Sequence, residues 1–405
     1  MNKILVLLLG VLFTFNTLAD EVRDERRYFA IQERMAKSAT LPDSIRDKIV
    51  VDALEDLSGE IPLDSQTARN ILRATRALRL DSFALADQIR IVALETKLGG
   101  LSARNQSVAV RLRAYAKSLD RRATYELLKR PGLFKTLPAI STQAIDKFPD
   151  FSMLKAEPAY NELTAAQIQD LFYKTPDLEK YKNGAYMKVP RIYKFCSHVR
   201  PYACLMLMKD AAGNPVYLND GRTLWSQPSL GYARSGRPFS ERSGYTPSGV
   251  YEVNGVMPAA DQQGVFGKYR RLVLEFVPKS REEVSYTYLL PASSWDQKWW
   301  VESKLARDLG RNLLRIHGTG KKNLDPFSTF KPFVATSGCI AQREATYNGV
   351  KYTDQRIILD TLMKASGLEA KFENETKIKA LLYVVEVKNT KGAVDLRLLN
   401  ELGLK

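Results

Sequence analysis

The sequence predicts an α + β protein: an all-helical N-terminal domain followed by a mainly-β C-terminal domain. With 405 residues, of which 45% are hydrophobic and 26% charged, the chain is long enough for two or three domains with buried cores. Apolar residues follow helical spacing up to about residue 180, and short β-rich runs broken by glycine, proline and asparagine follow residue 185. We therefore predict a helical accessory domain over 20–185, a β-rich domain over 186–390 and a C-terminal tail over 391–405.

Residues 1–19 are typical of a secretory signal peptide. Lys3 precedes an apolar run over 4–15, and the small residues Thr17 and Ala19 stand where a signal peptidase cuts. The apolar run is shorter than the roughly 20 residues needed to cross a bilayer. We expect an exported protein of the periplasm or cell envelope, without stable membrane insertion. The alternative is that this segment stays attached as an anchor.

The charge of the chain favours an anionic partner. Lysine and arginine number 61 against 45 acids, which gives a formal charge of +16. Nucleic acid, phospholipid headgroups and a polyanionic cell envelope all fit that sign. Export argues against nucleic acid, so we expect no such partner. Because the helical region 20–185 contains no histidine or cysteine, we expect it to bind or position something, for instance an envelope protein.

The helical domain is predicted from two stripes and three caps. Leu85, Ile89 and Val92 form one stripe, and a second runs over 108–119. Asp-Ser pairs that suit helix N-caps stand at 43–44, 64–65 and 81–82.

The β-rich domain is predicted from six short runs. They are 202–208, 216–218, 250–253, 272–277, 286–290 and 380–387. A turn over 212–215 joins the first two into a hairpin. Ile358, Leu362 and Ala365 form a helical stripe before the last strand.

Three cysteines divide into a pair and a single residue. Cys196 and Cys204 are close enough in sequence to form a disulfide around a turn at Arg200-Pro201, which an exported protein permits. Cys339 is then unpaired. It is either a buried inert thiol or a nucleophile, and its sequence neighbours decide between the two.

The sequence around Cys339 favours a nucleophile over an inert thiol. His317, one of two histidines in the chain, lies in Ile316-His317-Gly318-Thr319, and Cys339 lies in Thr336-Ser337-Gly338-Cys339-Ile340. A nearby imidazole activates a thiol, and we expect it to lower the thiol pKa below the usual value near ~8.5. A glycine beside the nucleophile lets backbone N–H groups approach a carbonyl oxygen. By residue types alone, the pair is a weak signal.

The two motifs together resemble the L,D-transpeptidase, or YkuD, family. Two further motifs agree: the Thr-Pro-x-Gly turn and following strand in 244–251, and the Leu309-Gly310 pair. Their order and rough spacing match over about residues 190 to 390. The resemblance implies that the β-rich domain is a YkuD-like catalytic domain.

The resemblance also implies roles for single residues. Cys339 is the nucleophile, His317 the base, and the Gly318 carbonyl orients the imidazole. The N–H groups of Gly338 and Cys339 hold an oxyanion, with Ser337 and Thr319 beside them. Residues predicted to contact substrate are Arg343, Tyr245 and Thr246.

The implied reaction is acyl transfer on peptidoglycan stem peptides. The thiolate attacks the L-centre carbonyl of diaminopimelate, releases the terminal D-alanine and passes the acyl group to an amine, which gives a 3–3 crosslink. Transfer to water instead gives an L,D-carboxypeptidase, and transfer to a protein gives attachment to the wall. A non-catalytic envelope-binding protein is the alternative from another class. We expect no metal and no organic cofactor.

The sequence departs from the family pattern at three places. Ser337 stands where histidine is common, and Ala341 stands where arginine or asparagine is usual, with Arg343 the nearest arginine. The loop over 321–334 is longer by several residues. These departures concern acceptor recognition and leave the nucleophile and the base in place.

Overall fold

The computed structural model describes residues 80–99 and 162–405, the latter without 235, 242, 259–262, 280–284, 296 and 298, together with a few separate residues between 51 and 126. The chain divides into two compact units, Met1–Lys155 and Ala156–Lys405. The predicted signal peptide, the caps at 43–44 and 64–65 and nearly all of the stripe over 108–119 lie outside the described residues. Within them, no helix is long and apolar enough to cross a membrane.

The first unit contains helix α1, Leu85–Gly99. Ile89 and Val92 are fully buried, as a stripe at helical spacing predicts, and Leu85 is half-buried. The third predicted cap is wrong in detail, because Asp81 and Ser82 belong to a short 3-10 turn that ends before the helix begins.

The second unit is mainly β. Its strands are β1 Glu162–Leu163, β2 Arg191–Cys196, β3 Cys204–Lys209, β4 Ser226–Ser229, β5 Gly249–Val256, β6 Leu272–Val277, β7 Arg315–His317, β8 Ile340–Ala341, β9 Thr346–Tyr347, β10 Val350–Lys351 and β11 Lys379–Val387. In this part of the chain β9 and β10 form a hairpin. The other strands form one sheet in the order β4-β3-β2-β11-β5-β6-β7-β8, with β1 also paired to β11.

The sheet closes on itself almost as a barrel. Leu230, directly after β4, exchanges two backbone hydrogen bonds with Ala341 of β8, of 3.1 and 2.8 Å. The pairs β2–β11 and β7–β8 are parallel, whereas β2–β3, β3–β4, β5–β6, β5–β11 and β6–β7 are antiparallel. The hydrogen bonds between Leu230 and Ala341 thus join the two edge strands of this order, β4 and β8.

Helices lie between and beyond the strands. They are α2 Ala165–Tyr173, α3 Gln263–Phe266, α4 Val301–Asp308, α5 Asp354–Ala365 and α6 Leu396–Glu401. The predicted stripe on α5 is confirmed: Ile358 and Leu362 are fully buried and pack with alternate residues of the sheet, including Leu272, Ile316 and Ile340. The opposite face of β6, β7 and β8 points away from this core.

Four of the six predicted strands are confirmed, namely β3, β5, β6 and β11. The ends of β3, β5 and β11 differ from the predicted ends, whereas those of β6 agree. The strand predicted over 286–290 is wrong, because Ser285–Leu289 is a 3-10 helix. Its two tyrosine rings pack edge-on against tryptophan rings. The ring centroids of Tyr286 and Trp300 are 5.0 Å apart, and those of Tyr288 and Trp295 are 5.7 Å apart. The segment over 216–218 makes an isolated bridge from Tyr217 to Leu224 and forms no strand.

The second unit begins before the predicted boundary at 185 and includes the predicted tail. Strand β1 pairs with β11, and Phe172 of α2 is fully buried, with its ring 5.0 Å from that of Tyr193. The amide of Gln169 donates to the Leu402 carbonyl at 2.6 Å, and Leu404 is fully buried. Residues 162–184 and 391–405 therefore pack on the sheet as parts of one unit.

The predicted disulfide between Cys196 and Cys204 is present. It joins the end of β2 to the start of β3, around the turn in which Tyr202 N–H donates to the Val199 carbonyl at 3.1 Å. The ammonium group of Lys194 lies 2.8 and 2.7 Å from the two sulphur atoms. Burial lowers the pKa of Lys194 well below its usual value.

We expect the double variant Cys196→Ala/Cys204→Ala to unfold at lower denaturant concentration. A short loop closed by a disulfide contributes roughly 2 to 3 kcal/mol in the chain-entropy description. Equilibrium urea unfolding measures the loss, and peptide mapping without reductant should show one fragment that links the two cysteines. Cys339 serves as the internal control, since it should stay alkylatable. A disulfide between Cys339 and either partner would contradict both assignments.

Candidate active site

The sheet brings His317 and Cys339 to one face. Strands β7 and β8 are parallel, with Ile316 opposite Ile340 and His317 opposite Ala341. Ile316 and Ile340 point into the core, so His317 and Cys339, which alternate with them, point to the other face. Strand spacing and rise place the two Cα atoms about 8 Å apart. The side chains of the predicted nucleophile and base therefore project from the same face of two neighbouring strands.

The imidazole of His317 has a defined orientation. Its Nδ1 lies 2.6 Å from the Gly318 carbonyl oxygen, which only accepts, so the hydrogen bond places the proton on Nδ1. In the neutral ring Nε2 is then the free acceptor. The ring is buried, and Phe266 contacts it edge-on with centroids 5.5 Å apart. The prediction that Gly318 orients the imidazole agrees with this geometry.

The surroundings favour the neutral form of both partners of the pair. Burial lowers the pKa of His317 to about 4, aided by Arg271 and Arg315 and opposed by the bond to Gly318. Burial also raises the pKa of the half-buried Cys339 thiol, although Arg315, Arg311 and Arg271 act in the opposite direction. The expectation of a lowered thiol pKa is therefore wrong in direction, because the effect of burial exceeds that of the nearby arginines.

This pairing predicts a particular pH dependence. Alkylation of Cys339 by iodoacetamide should rise only above the ordinary cysteine range near ~8.5, because the thiol pKa is raised. Turnover should instead hold from neutral pH down to about 4, where His317 gains its proton and ceases to act as a base. Stopped-time alkylation followed by mass spectrometry gives the first profile. A flat, fast alkylation rate between pH 5 and 7, lost in His317→Ala, would contradict a neutral pair.

Cys339 follows a tight turn built by Thr336 and Gly338. The Thr336 hydroxyl donates to the Cys339 carbonyl at 2.6 Å and accepts from the Gly338 N–H at 3.2 Å. Gly338 has φ +106°, and a Cβ there would stand 2.4 Å from the Gly244 carbonyl oxygen. Its N–H, predicted for the oxyanion site, already donates within the turn. The oxyanion role of Gly338 and Cys339 stays a prediction.

Thr246 supports this turn from the neighbouring segment. It is fully buried, and its hydroxyl donates to the Gly338 carbonyl at 2.9 Å. Its own carbonyl accepts from the Arg200 guanidinium at 3.1 Å. The ring of Tyr245 lies under the same guanidinium, 4.6 Å from its central carbon. Both residues, predicted as substrate contacts, hold the turn of Cys339 in this structure.

Arg200 is the centre of a buried charge network. It pairs with Glu386, donates to the Ser248 hydroxyl at 2.8 Å and lies 3.8 Å from Glu302. Glu302 accepts from the Ser248 N–H at 2.7 Å, and burial together with Glu386 raises the pKa of Glu302 to about 8. The network thus fixes the backbone from Thr246 to Ser248. Sequence reasoning missed it, because its members are distant in the chain.

Arg311 clamps the same segment from the other side. Its guanidinium donates to the carbonyl oxygens of Phe239, Gly244 and Tyr245, the last two at 2.9 and 2.8 Å. A Cβ at Gly338 would stand 2.5 Å from it. Three carbonyl acceptors commit this guanidinium to holding the loop against the turn of Cys339.

The other predicted site residues have internal or solvent-facing positions. Arg343 donates to Asp354 at 2.6 Å and stacks on Tyr352 at 4.3 Å. The Thr319 hydroxyl donates to the Gly264 carbonyl at 3.1 Å, which ties α3 to the strand of His317. Ser337 is exposed. The substrate contact predicted for Arg343 stays a prediction, and an ion pair already occupies its guanidinium.

The reactive groups of the site are a thiol and an imidazole. In the part of the chain that the structure describes, no group of three or more His, Cys, Asp or Glu side chains is placed to hold a metal ion. A thiol and an imidazole with a free Nε2 on one sheet face are suited to nucleophilic acyl transfer. Comparisons with protein-family models, with curated proteins and with solved structures found no match.

Proposed function

We propose that this protein is an exported L,D-transpeptidase with a YkuD-like catalytic domain in its C-terminal half and an all-helical accessory domain in its N-terminal half. Its substrate is the tetrapeptide stem of peptidoglycan, and its product is a 3–3 crosslink between two stems. The positive charge of the chain suits retention on an anionic envelope.

One observation carries this proposal. The His317 imidazole, fixed by its 2.6 Å contact with the Gly318 carbonyl, shares a sheet face with Cys339. The same residues form the two sequence motifs that resemble the family. The geometry supports the motif, because a buried inert cysteine needs neither an oriented imidazole nor a turn shaped by neighbouring groups.

The first half-reaction starts from the neutral pair. As Cys339 Sγ attacks the L-centre carbonyl carbon of diaminopimelate, the thiol proton passes to His317 Nε2. The new carbon–sulphur bond leaves a negative oxygen on the tetrahedral intermediate. The imidazolium then gives its proton to the departing amine, the carbon–nitrogen bond breaks, and D-alanine leaves with a thioester remaining on Cys339.

The second half-reaction reverses these steps with another amine. The amino group on the diaminopimelate of a second stem attacks the thioester carbon while His317 takes its proton. Collapse of the intermediate breaks the carbon–sulphur bond, and the sulphur recovers the proton. Water in place of the amine gives a tripeptide that ends in the new carboxylate.

Mass spectrometry of stem peptides tests the proposal. Purified protein is incubated with isolated sacculi, which are then digested to muropeptides, with Cys339→Ala as the matched control. Dimers linked through two diaminopimelates support the transpeptidase. Tripeptides alone replace it with an L,D-carboxypeptidase, and new protein-linked stems replace it with attachment to the wall. No change in either protein would leave a binding protein as the function.

A further inference from the structure

Two arginines flank the cysteine and histidine on the same sheet face. In the pairing of β6 with β7, Leu272 lies opposite Ile316 and Val273 lies opposite Arg315. Leu272 and Ile316 point into the core, so the residues that alternate with them point to the face of the site. Arg271, one position before β6, is thereby placed across from His317, and Arg315 lies across from Cys339 on the other neighbouring strand.

Contacts of Arg315 place its charge beside the thiol. Its guanidinium donates to the Leu313 carbonyl oxygen at 3.0 Å, and the Cys339 thiol donates to the same oxygen at 3.8 Å. The proximity of Arg315 lowers the pKa of the Cys339 thiol, against the larger effect of burial. Guanidinium and thiol therefore converge on one carbonyl oxygen. Arg315 is half-buried, so solvent and small molecules reach it.

Contacts of Arg271 place its charge beside the imidazole. Its guanidinium stacks on the ring of Phe266, 4.5 Å from the centroid, and that ring also contacts His317. Phe266 ends α3, which Thr319 ties to the strand of the base. Arg271 is half-buried as well. Both cationic groups thus lie on the β6 side of the reacting pair, with Arg271 beside the base and Arg315 beside the nucleophile.

Other charged groups near the pair have internal roles. Arg311 holds three backbone carbonyls. Glu344, beside Gly318, accepts from the N–H groups of Lys268 and Tyr269 at 2.7 and 3.1 Å. Burial raises the pKa of that carboxyl. Arg271 and Arg315 are the guanidinium groups that the register of β6, β7 and β8 places beside the pair.

We infer that Arg271 and Arg315 form an anion-binding site that recognises a carboxylate next to the bond under attack, and that they select acyl donors whose leaving group ends in a free carboxylate. Guanidinium groups match carboxylates in shape and charge. In the reaction proposed above, that carboxylate belongs to the terminal D-alanine. The choice of donor rests on the proposed function, whereas the anion site itself does not.

Alkylation tests the anion site without any peptidoglycan. Iodoacetate and iodoacetamide differ only in the charge beside the reacting carbon, and N-acetylcysteine gives the reference ratio of their rates. In the unmodified protein the ratio of iodoacetate to iodoacetamide at Cys339 should exceed that reference at least about tenfold, the usual effect of one charge-assisted hydrogen bond. Arg271→Gln and Arg315→Gln should each lower the ratio, and the double variant should reach the reference.

A charge-conserving pair and a distant control sharpen this test. Arg271→Lys and Arg315→Lys keep the charge and should retain part of the preference, which also separates lost recognition from lost folding. Arg397→Gln removes one charge from an exposed helix position and should leave the ratio unchanged. A ratio equal to that of N-acetylcysteine in the unmodified protein, or one that no arginine variant alters, would overturn the anion site.

A second measurement tests the choice of donor. A tetrapeptide stem with a free terminal carboxylate and its terminal amide are compared by the rate at which each forms a thioester on Cys339. The acid should react at least about tenfold faster, mainly through KM, and Arg271→Gln should slow the acid far more than the amide. Equal rates for acid and amide overturn donor selection. If neither peptide reacts while iodoacetate keeps its preference, the proposed function fails and the anion site stands.

Discussion

Cys339→Ala should abolish thioester formation on a tetrapeptide stem, and His317→Gln should slow it by about 10² to 10⁴. The nucleophile has no substitute in the alanine variant. The glutamine variant keeps an acceptor but loses a base that exchanges a proton. Intact-mass measurement after incubation with the peptide reports the acyl adduct directly. Cys339→Ala should affect the melting transition little, since Cys339 is half-buried and alanine is close to it in size.

Ser337→Ala is the matched control for this pair. Ser337 is exposed and lies two positions before the nucleophile, so its hydroxyl is outside the hydrogen bonds that shape the turn. It should keep the rate within a few-fold. A thioester that still forms in a folded His317→Gln protein at the original rate would remove the imidazole from the mechanism.

Arg200→Met should cost about 3 to 5 kcal/mol of unfolding free energy, the largest stability effect we expect. Loss of the guanidinium leaves Glu386 buried without its partner, and also removes the donors to Ser248 and to the Thr246 carbonyl. Equilibrium urea unfolding measures the change. Arg397→Met, at an exposed ion pair, should leave the unfolding midpoint where it was.

The same variant should disturb the site as well as the fold. Thr246 holds the Gly338 carbonyl, so a shift of Thr246 moves the turn that presents Cys339. We expect slower thioester formation in the fraction that remains folded. Full stability together with full activity in Arg200→Met would show that the network is redundant.

Sequence alone predicted much of the strand and helix content for a physical reason. The strand 272–277 is apolar except for Glu275, and the stripe on α5 has helical spacing, so local pattern and burial agree. Strand β2 is one of those that the pattern did not predict. Arg191 and Lys194 make β2 look like a solvated segment, although both are buried in the sheet. The 3-10 helix over 285–289 packs its tyrosines against Trp295 and Trp300, and these contacts are not visible in the pattern of the five residues themselves.

The catalytic pair was predictable because its residues lie in short motifs. Its supports were not predictable, because they come from far along the chain. Arg200 meets Glu386 at a separation of 186 residues, and Thr246 meets Gly338 at a separation of 92. The direction of the thiol pKa was also missed, since burial of both groups follows from the sheet and not from their spacing.

Strand β11, Lys379–Val387, lies at the middle of the sheet between β2 and β5, although it is made near the end of the chain. During synthesis, β2 and β5 lack this partner until the residues between 256 and 379 have been joined. Contacts of such high sequence separation form slowly, because a long loop closes before they contribute. The nascent chain therefore stays without its central strand until late, a state that suits the proposed export, in which a chain crosses a membrane before it folds.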